Sequence, residues 1–214
     1  MPRKIPSALL VVLLALAGEP ARAAAIHGDV PLSKGNGRAQ RAGDAVVWIE
    51  SVPEKVELRI VKGGRHWFWQ KARAARPPAN LLEVARRYDP RVVVVPAGEP
   101  VVIRNADTVW HGAFSVSKGS GFELGKRAPG SVDTVRFMRP GVIALRCDIH
   151  PQMSAYVVVT PNHAFARPDS AGHWRLPDVP SGTYVVHAWH PDRRETSRKV
   201  QMPARGDTLV SLGW

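Results

Sequence analysis

The chain has 214 residues, 44% of them hydrophobic, and a single cysteine, so it is long enough to bury one or two proper cores but excludes an internal disulfide framework. Its 30 basic and 18 acidic side chains give a formal charge of +12, which favours anionic partners. The basic residues are spread over Arg38 to Arg41, Lys71 to Arg76, Arg86 to Arg91 and Arg193 to Lys199, with no RNA-binding motif or recognition helix. The charge therefore reads as a steering field for an acidic protein or a membrane surface, or as a plain solvated face, and no nucleic-acid partner is expected.

In chain order, the N-terminus has the layout of an export signal. Arg3 and Lys4 precede an apolar run from Ala8 to Ala17, and Ala21-Arg22-Ala23 matches a small-x-small cleavage site. Residues 1–23 are expected to be removed, which takes away three basic side chains and one acidic one and leaves +10. Elsewhere no stretch approaches the roughly 18 apolar residues of a membrane helix. The mature chain is expected to be soluble and exported, with no integral membrane segment.

Ala25 to Val30 and Ala45 to Glu50 read as strands, separated by a Gly- and Arg-rich loop from Lys34 to Gly43. Val56 to Val61 alternates apolar and charged residues, as a half-buried strand does. His66-Trp67-Phe68-Trp69 reads as packing aromatics ahead of a basic stretch and Pro77-Pro78. Leu81 to Arg87 is compatible with a short helix or a loop. From Tyr88 the pattern is plainly β. Strands are expected at Val92 to Val95, Pro100 to Arg104, Phe114 to Ser117, Ser131 to Phe137, Val142 to Cys147 and Tyr156 to Thr160, with a turn at Pro96-Ala97-Gly98-Glu99. His173 to Leu176, Tyr184 to Trp189 and Thr208 to Leu212 continue the style in a C-terminal unit too short to stand alone. Strands this short, regularly broken by turns, predict an all-β sandwich.

The chemistry concentrates in Cys147-Asp148-Ile149-His150-Pro151-Gln152-Met153. A thiolate, an imidazole and a thioether on one loop form a soft S/N donor set that suits copper. A second histidine, for which His111 is the candidate, would complete two His, one Cys and a weak axial Met. His187 and His190, three apart on a strand, point to opposite faces and read as structural. His27, His66, His163 and His173 are single and read as surface or turn residues. His-x-His pairs, paired acid-base carboxylates, Gly-rich phosphate loops and a Gly-x-Ser-x-Gly elbow are absent, so no enzyme is expected.

These residues resemble the cupredoxin family. Tyr88-Asp89-Pro90, Val92 to Val95, the Gly98-Glu99 turn, Val101 to Arg104, Asn105 and His111 are similar to the plastocyanin-type run that leads to the first copper histidine. Cys147-x-x-His150-x-x-Met153 is similar to the amicyanin and pseudoazurin ligand loop. The resemblance covers residues 88–160 and implies one type 1 copper site held by His111, Cys147, His150 and Met153, with His150 as the partly exposed ligand through which electrons pass. One position departs from the pattern. Gly112 stands where plastocyanin-type sequences often carry Asn, and Asn105 or Ser115 are the candidates to restrain the thiolate loop in its place.

His111 to Ser117, Phe122 to Gly125, Gly141 to Tyr156 and Asp169 to His190 look still more like exported bacterial proteins labelled methylamine-utilisation proteins, which join such a site to a carboxypeptidase-regulatory-like segment. That resemblance implies a cupredoxin Greek-key sandwich at 53–160 with core 88–160, inserted into a small transthyretin-like sandwich made of residues 24–52 and 161–214. The function it implies is a periplasmic single-electron carrier between redox proteins such as a c-type cytochrome or a dehydrogenase. The alternatives are a copper-handling protein without an electron-transfer role and a metal-free β-sandwich adaptor.

Overall fold

The computed structural model describes residues 24–30, 42–52, 78–176, 178–193 and 195–214. Expectations for residues 1–23, for Val56 to Val61 and for His66 to Trp69 lie outside them. Among the described residues the chain is all-β, with sixteen strands and one 3₁₀ turn at Ala42–Asp44. The strands are β1 (Ile26–Asp29), β2 (Val46–Ile49), β3 (Ala79–Val84), β4 (Arg87–Asp89), β5 (Val92–Pro96) and β6 (Pro100–Asn105). They continue with β7 (His111–Ser115), β8 (Phe122–Arg127), β9 (Val132–Arg136), β10 (Gly141–Cys147) and β11 (Ser154–Thr160). The last five are β12 (Phe165–Ala166), β13 (His173–Leu176), β14 (Gly182–Trp189), β15 (Thr196–Met202) and β16 (Thr208–Ser211). No helix among the described residues is long and apolar enough to cross a membrane.

Four sheets share three apolar cores. The orders are β13-β1-β16, β12-β2-β14-β15, β5-β11-β10-β7-β8 and β4-β3-β6-β9. The first two sheets enclose a core built on Ile26, Val47, Ile49, Trp174, Leu176, Val186 and Met202. The last two enclose another, which includes Leu81, Val93, Ile103, Ile143, Leu145, Cys147 and Met153. Between the second and third sheets lies a smaller core of Val46, Trp48, Val92, Val158, Phe165 and Trp189.

Strand composition follows from this layering. β2 and β5 are continuous apolar runs because each is covered on both faces. Val47 and Ile49 face the outer core while Val46 and Trp48 face the middle one; Val93 and Val95 face the inner core while Val92 and Val94 face the middle one.

Both N-terminal strands pair with C-terminal ones. β1 runs antiparallel to β13 and parallel to β16, with Gly28 opposite Trp174 and Val210. β2 runs antiparallel to β12 and β14, with Trp48 opposite Phe165 and His187. Asn162 secures the crossing back into this unit: its Nδ2 donates to Ile49 O at 2.9 Å and its Oδ1 accepts from Ala164 N at 2.8 Å. Arg91 ties the units from the other side, pairing with Asp192 at 3.0 Å and lying 3.8 Å from Asp44.

Three local expectations change. Leu81 to Arg87 is neither helix nor loop but strand β3 and the start of β4, joined by a two-residue turn in which Ala85 and Arg86 have φ of 51° and 54°. Two left-handed residues match the twist of a tight hairpin, but Ala-Arg carries none of the usual Gly or Asn signal. The inward positions of β3 are Leu81 and Glu83, so a charge interrupts the apolar alternation. The strand expected at Phe114 starts earlier, at His111, and ends at Ser115. Strands β8 and β15 were not expected from the sequence: β8 is interrupted by Gly125 and its buried end is Arg127, and β15 opens on four polar residues, Thr196 to Lys199, so neither shows the apolar alternation that marks a strand.

Candidate metal centre

Two neighbouring antiparallel strands bring the site together. β7 and β10 pair with Ala113 opposite Cys147, so His111 at the start of β7 lies beside the end of β10. The chain then turns, Met153 N donating to His150 O at 2.9 Å, and enters β11 at Ser154. Cys147, His111 and Met153 are buried, at 4%, 0% and 1% exposure, while His150 is half-buried.

Three donor atoms converge. His111 Nδ1 and His150 Nδ1 are 3.1 Å apart, and Cys147 Sγ is 3.9 Å from each. The in-plane point equidistant from all three lies roughly 2.1 Å from each, the length of a metal–imidazole bond. Two imidazole nitrogens and a sulfur this close need a proton or a cation among them, and three such donors around one point can hold a metal ion. The set is soft and nitrogen-rich, which fits copper and does not fit magnesium or calcium. Met153 adds a thioether in the same core cluster as Cys147.

The surroundings prepare each donor. Cys147 Sγ accepts from Gly112 N at 3.5 Å and from His150 N at 3.4 Å, contacts that fix where the sulfur sits. His111 Nε2 lies 3.2 Å from Asp107 Oδ2, and donation there leaves Nδ1 as the free lone pair. Burial pushes the His111 pKa down, which keeps the ring neutral and able to ligate. Asp107 is itself held, accepting from Arg86 N at 2.7 Å and Thr108 N at 2.9 Å, and the Arg86 bond is the first cause of its lowered pKa. The tight β3–β4 turn thus braces the residue that braces His111.

Neither Asn105 nor Ser115 restrains the thiolate loop. Asn105 is fully buried and donates to Val109 O and Arg127 O while accepting from Asp107 N, so it shapes the loop ahead of His111. Ser115 Oγ bonds Ser117 Oγ, and Ser117 accepts from Ala144 N, at the far end of β7. The thiolate strand is held instead by Tyr88, whose hydroxyl donates to Arg146 O at 3.0 Å, and by Asp148 N donating to Gly112 O at 3.1 Å.

Opposite His111 across β7 and β8 stands Arg127. Its guanidinium donates to Glu83 Oε2 at 2.8 Å, Asp133 Oδ2 at 2.6 Å and Ile103 O at 3.1 Å, with Glu83 and Arg127 at 0% and 4% exposure. Burial raises the Glu83 pKa against the pull of Arg127. Sequence reading missed Asp107, Tyr88 and this charge cluster, because each acts across strands that only the fold makes adjacent.

Among the described residues the other histidines do not join the site. His187 stacks on Trp48 and bonds Glu195 at 2.8 Å, while buried His190 accepts from Asp192 N and meets Trp214 edge-on. His173 is exposed but lies within β13, and His27 lies within β1; both are strand residues on this surface.

No family model and no curated protein matches the chain. Solved structures similar to it include a Cu-containing nitrite reductase from Thermus scotoductus SA-01, at 24% identity over 39% of this chain and 22% of that one, with a TM-score of 0.37. A purple cupredoxin from Nitrosopumilus maritimus is 23% identical over 38% of this chain and 99% of that one, with a TM-score of 0.35. Amicyanin from Paracoccus versutus is 23% identical over 40% of this chain and 86% of that one, with a TM-score of 0.36. This chain therefore spans 22% of the nitrite reductase's length.

Proposed function

We propose that this chain is an exported type 1 copper protein that carries single electrons between redox proteins and transforms no substrate of its own. The convergence of His111 Nδ1, His150 Nδ1 and Cys147 Sγ on one point supports it most. Copper held there would supply a one-electron Cu(II)/Cu(I) couple. His111, His150 and Cys147 would hold it, with Met153 as the weaker thioether donor. The chain holds these donors on a strand start and a short loop braced by Asp107 and by N–H groups to sulfur, so the ligands need not rearrange between oxidation states. Half-buried His150 gives a partner its approach.

In this reading residues 53–160 form a cupredoxin unit inside a split transthyretin-like unit of residues 24–52 and 161–214, and the protein works in the periplasm. The +10 charge left after removal of residues 1–23 favours an acidic partner, such as a c-type cytochrome or a dehydrogenase. Adding Cu(II) should produce an intense visible thiolate-to-copper band and a type 1 paramagnetic resonance spectrum, both lost in Cys147→Ser. Reversible one-electron cycling with the metal retained marks a carrier, whereas ready transfer to a competing chelator marks a copper-handling protein. A colourless protein that binds no copper would overturn the proposal.

A further inference from the structure

Gly112 departs from the sequence pattern, and its surroundings account for the departure. A Cβ built on Gly112 would lie 2.0 Å from Asp148 Oδ1 and 2.7 Å from Asp148 Cγ. The space that a side chain at 112 would fill is occupied by the carboxylate of the residue directly after the thiolate. Gly112 has ordinary backbone geometry, so its need for glycine comes from Asp148 and not from a left-handed turn.

The contacts interlock. Gly112 N donates to Cys147 Sγ at 3.5 Å, Asp148 N donates to Gly112 O at 3.1 Å, and the Asp148 carboxylate covers the Gly112 Cα. The pairing of β7 with β8 shifts register between Gly112 and Phe114, which marks the local irregularity at this clasp. One residue of β7, Gly112, is thus gripped at both its N–H and its C=O by two successive residues, Cys147 and Asp148.

Resting on the copper reading, we infer that Asp148 is a positioning residue whose carboxylate, seated in the space Gly112 leaves empty, clasps the thiolate loop and places a fixed negative charge beside the metal, lowering its reduction potential. A negative charge near the site favours the more positive Cu(II) form over Cu(I). Asp148 is exposed, so its charge acts through a dielectric between that of a protein surface and that of water, and at roughly 6 Å a unit charge then changes the reduction equilibrium by about tenfold.

The test uses the full chain loaded with copper and three variants, Asp148→Asn, Gly112→Ala and the double. Asn keeps the shape of Asp and removes its charge, so a purely structural role for Asp148 would leave the potential in place. Gly112→Ala keeps the charge but displaces the carboxylate, whose short side chain can rotate into solvent. Asp148→Asn is expected to keep the charge-transfer band and to favour the reduced form by about tenfold, which is about 59 mV for a one-electron couple. Gly112→Ala should move the midpoint in the same direction, and the double variant should move it no further than Asp148→Asn does. A wild-type band with an Asp148→Asn midpoint within twofold of wild type overturns this inference and leaves the copper assignment standing, as does full additivity of the two single shifts. A wild-type protein without the band overturns the copper assignment and this inference with it.

Discussion

Replacing Arg127 by leucine removes the counter-charge of a carboxylate that has no water to turn to. Glu83 is 0% exposed, its Oε2 accepts from Arg127 Nη1 at 2.8 Å, and its Oε1 has no hydrogen-bond partner. Removing one member of a buried ion pair costs about 3–5 kcal/mol, because the other is left charged and unsolvated. Arg127→Leu should lose stability on that scale at pH 8. Burial already raises the Glu83 pKa above its ordinary 4.5 and Arg127 is the main influence opposing it, so the variant's carboxyl must rise further. A carboxyl whose folded pKa exceeds its unfolded value favours folding fully below about pH 4.5, and that contribution is lost as pH rises through the folded pKa. The deficit of Arg127→Leu relative to the native protein should therefore shrink on going from pH 8 to pH 5. Urea unfolding of both proteins at the two pH values measures it, and the Glu83→Gln/Arg127→Leu double variant should recover most of the loss. A deficit under about 1 kcal/mol at pH 8, or one independent of pH, would refute the idea that Glu83 depends on this guanidinium.

Asp107→Ala should weaken copper binding about 10- to 100-fold in competition with a chelator while leaving the fold intact, since it frees the His111 ring that Asp107 orients. Trp189→Ala should cost about 3–5 kcal/mol in urea unfolding. Trp189 is 8% exposed, packs in the middle core and meets Tyr156 edge-on at 5.1 Å, so the loss falls where the inner and outer units join. Asn162→Ala should cost about 1–3 kcal/mol by calorimetry, because it removes the side-chain donor to Ile49 O and the acceptor for Ala164 N in a buried crossing.

Much of the site could be read in the chain alone. Cys147, His150 and Met153 are close in sequence because one loop carries them, and short-range spacing survives any folding of the rest. The valine run at 92–95 and the Val-Val-Trp-Ile run at 46–49 announced strands through composition, since a strand covered on both faces has no polar side to hide its identity. The turn at Pro96 to Glu99 was legible too, with Gly98 at φ 83° and Glu99 N donating to Pro96 O. The all-β class follows from such local facts.

What the chain could not reveal alone depends on residues far apart in it. The β3–β4 hairpin lacks turn chemistry because its stability comes from Asp107, twenty-one residues beyond Arg86, accepting the turn's N–H. Glu83 looks like a surface residue until Arg127 arrives from β8, forty-four residues later. The role of Gly112 shows best where sequence ends and structure begins. In the sequence it is a missing side chain; in the fold, thirty-six residues on, Asp148 fills that space and donates its N–H to the same residue. Donor identity is a property of side-chain chemistry, which sequence carries in full. Donor restraint is a property of which strands lie side by side, and that is decided only when the apolar faces find their cores and bring distant polar groups into reach.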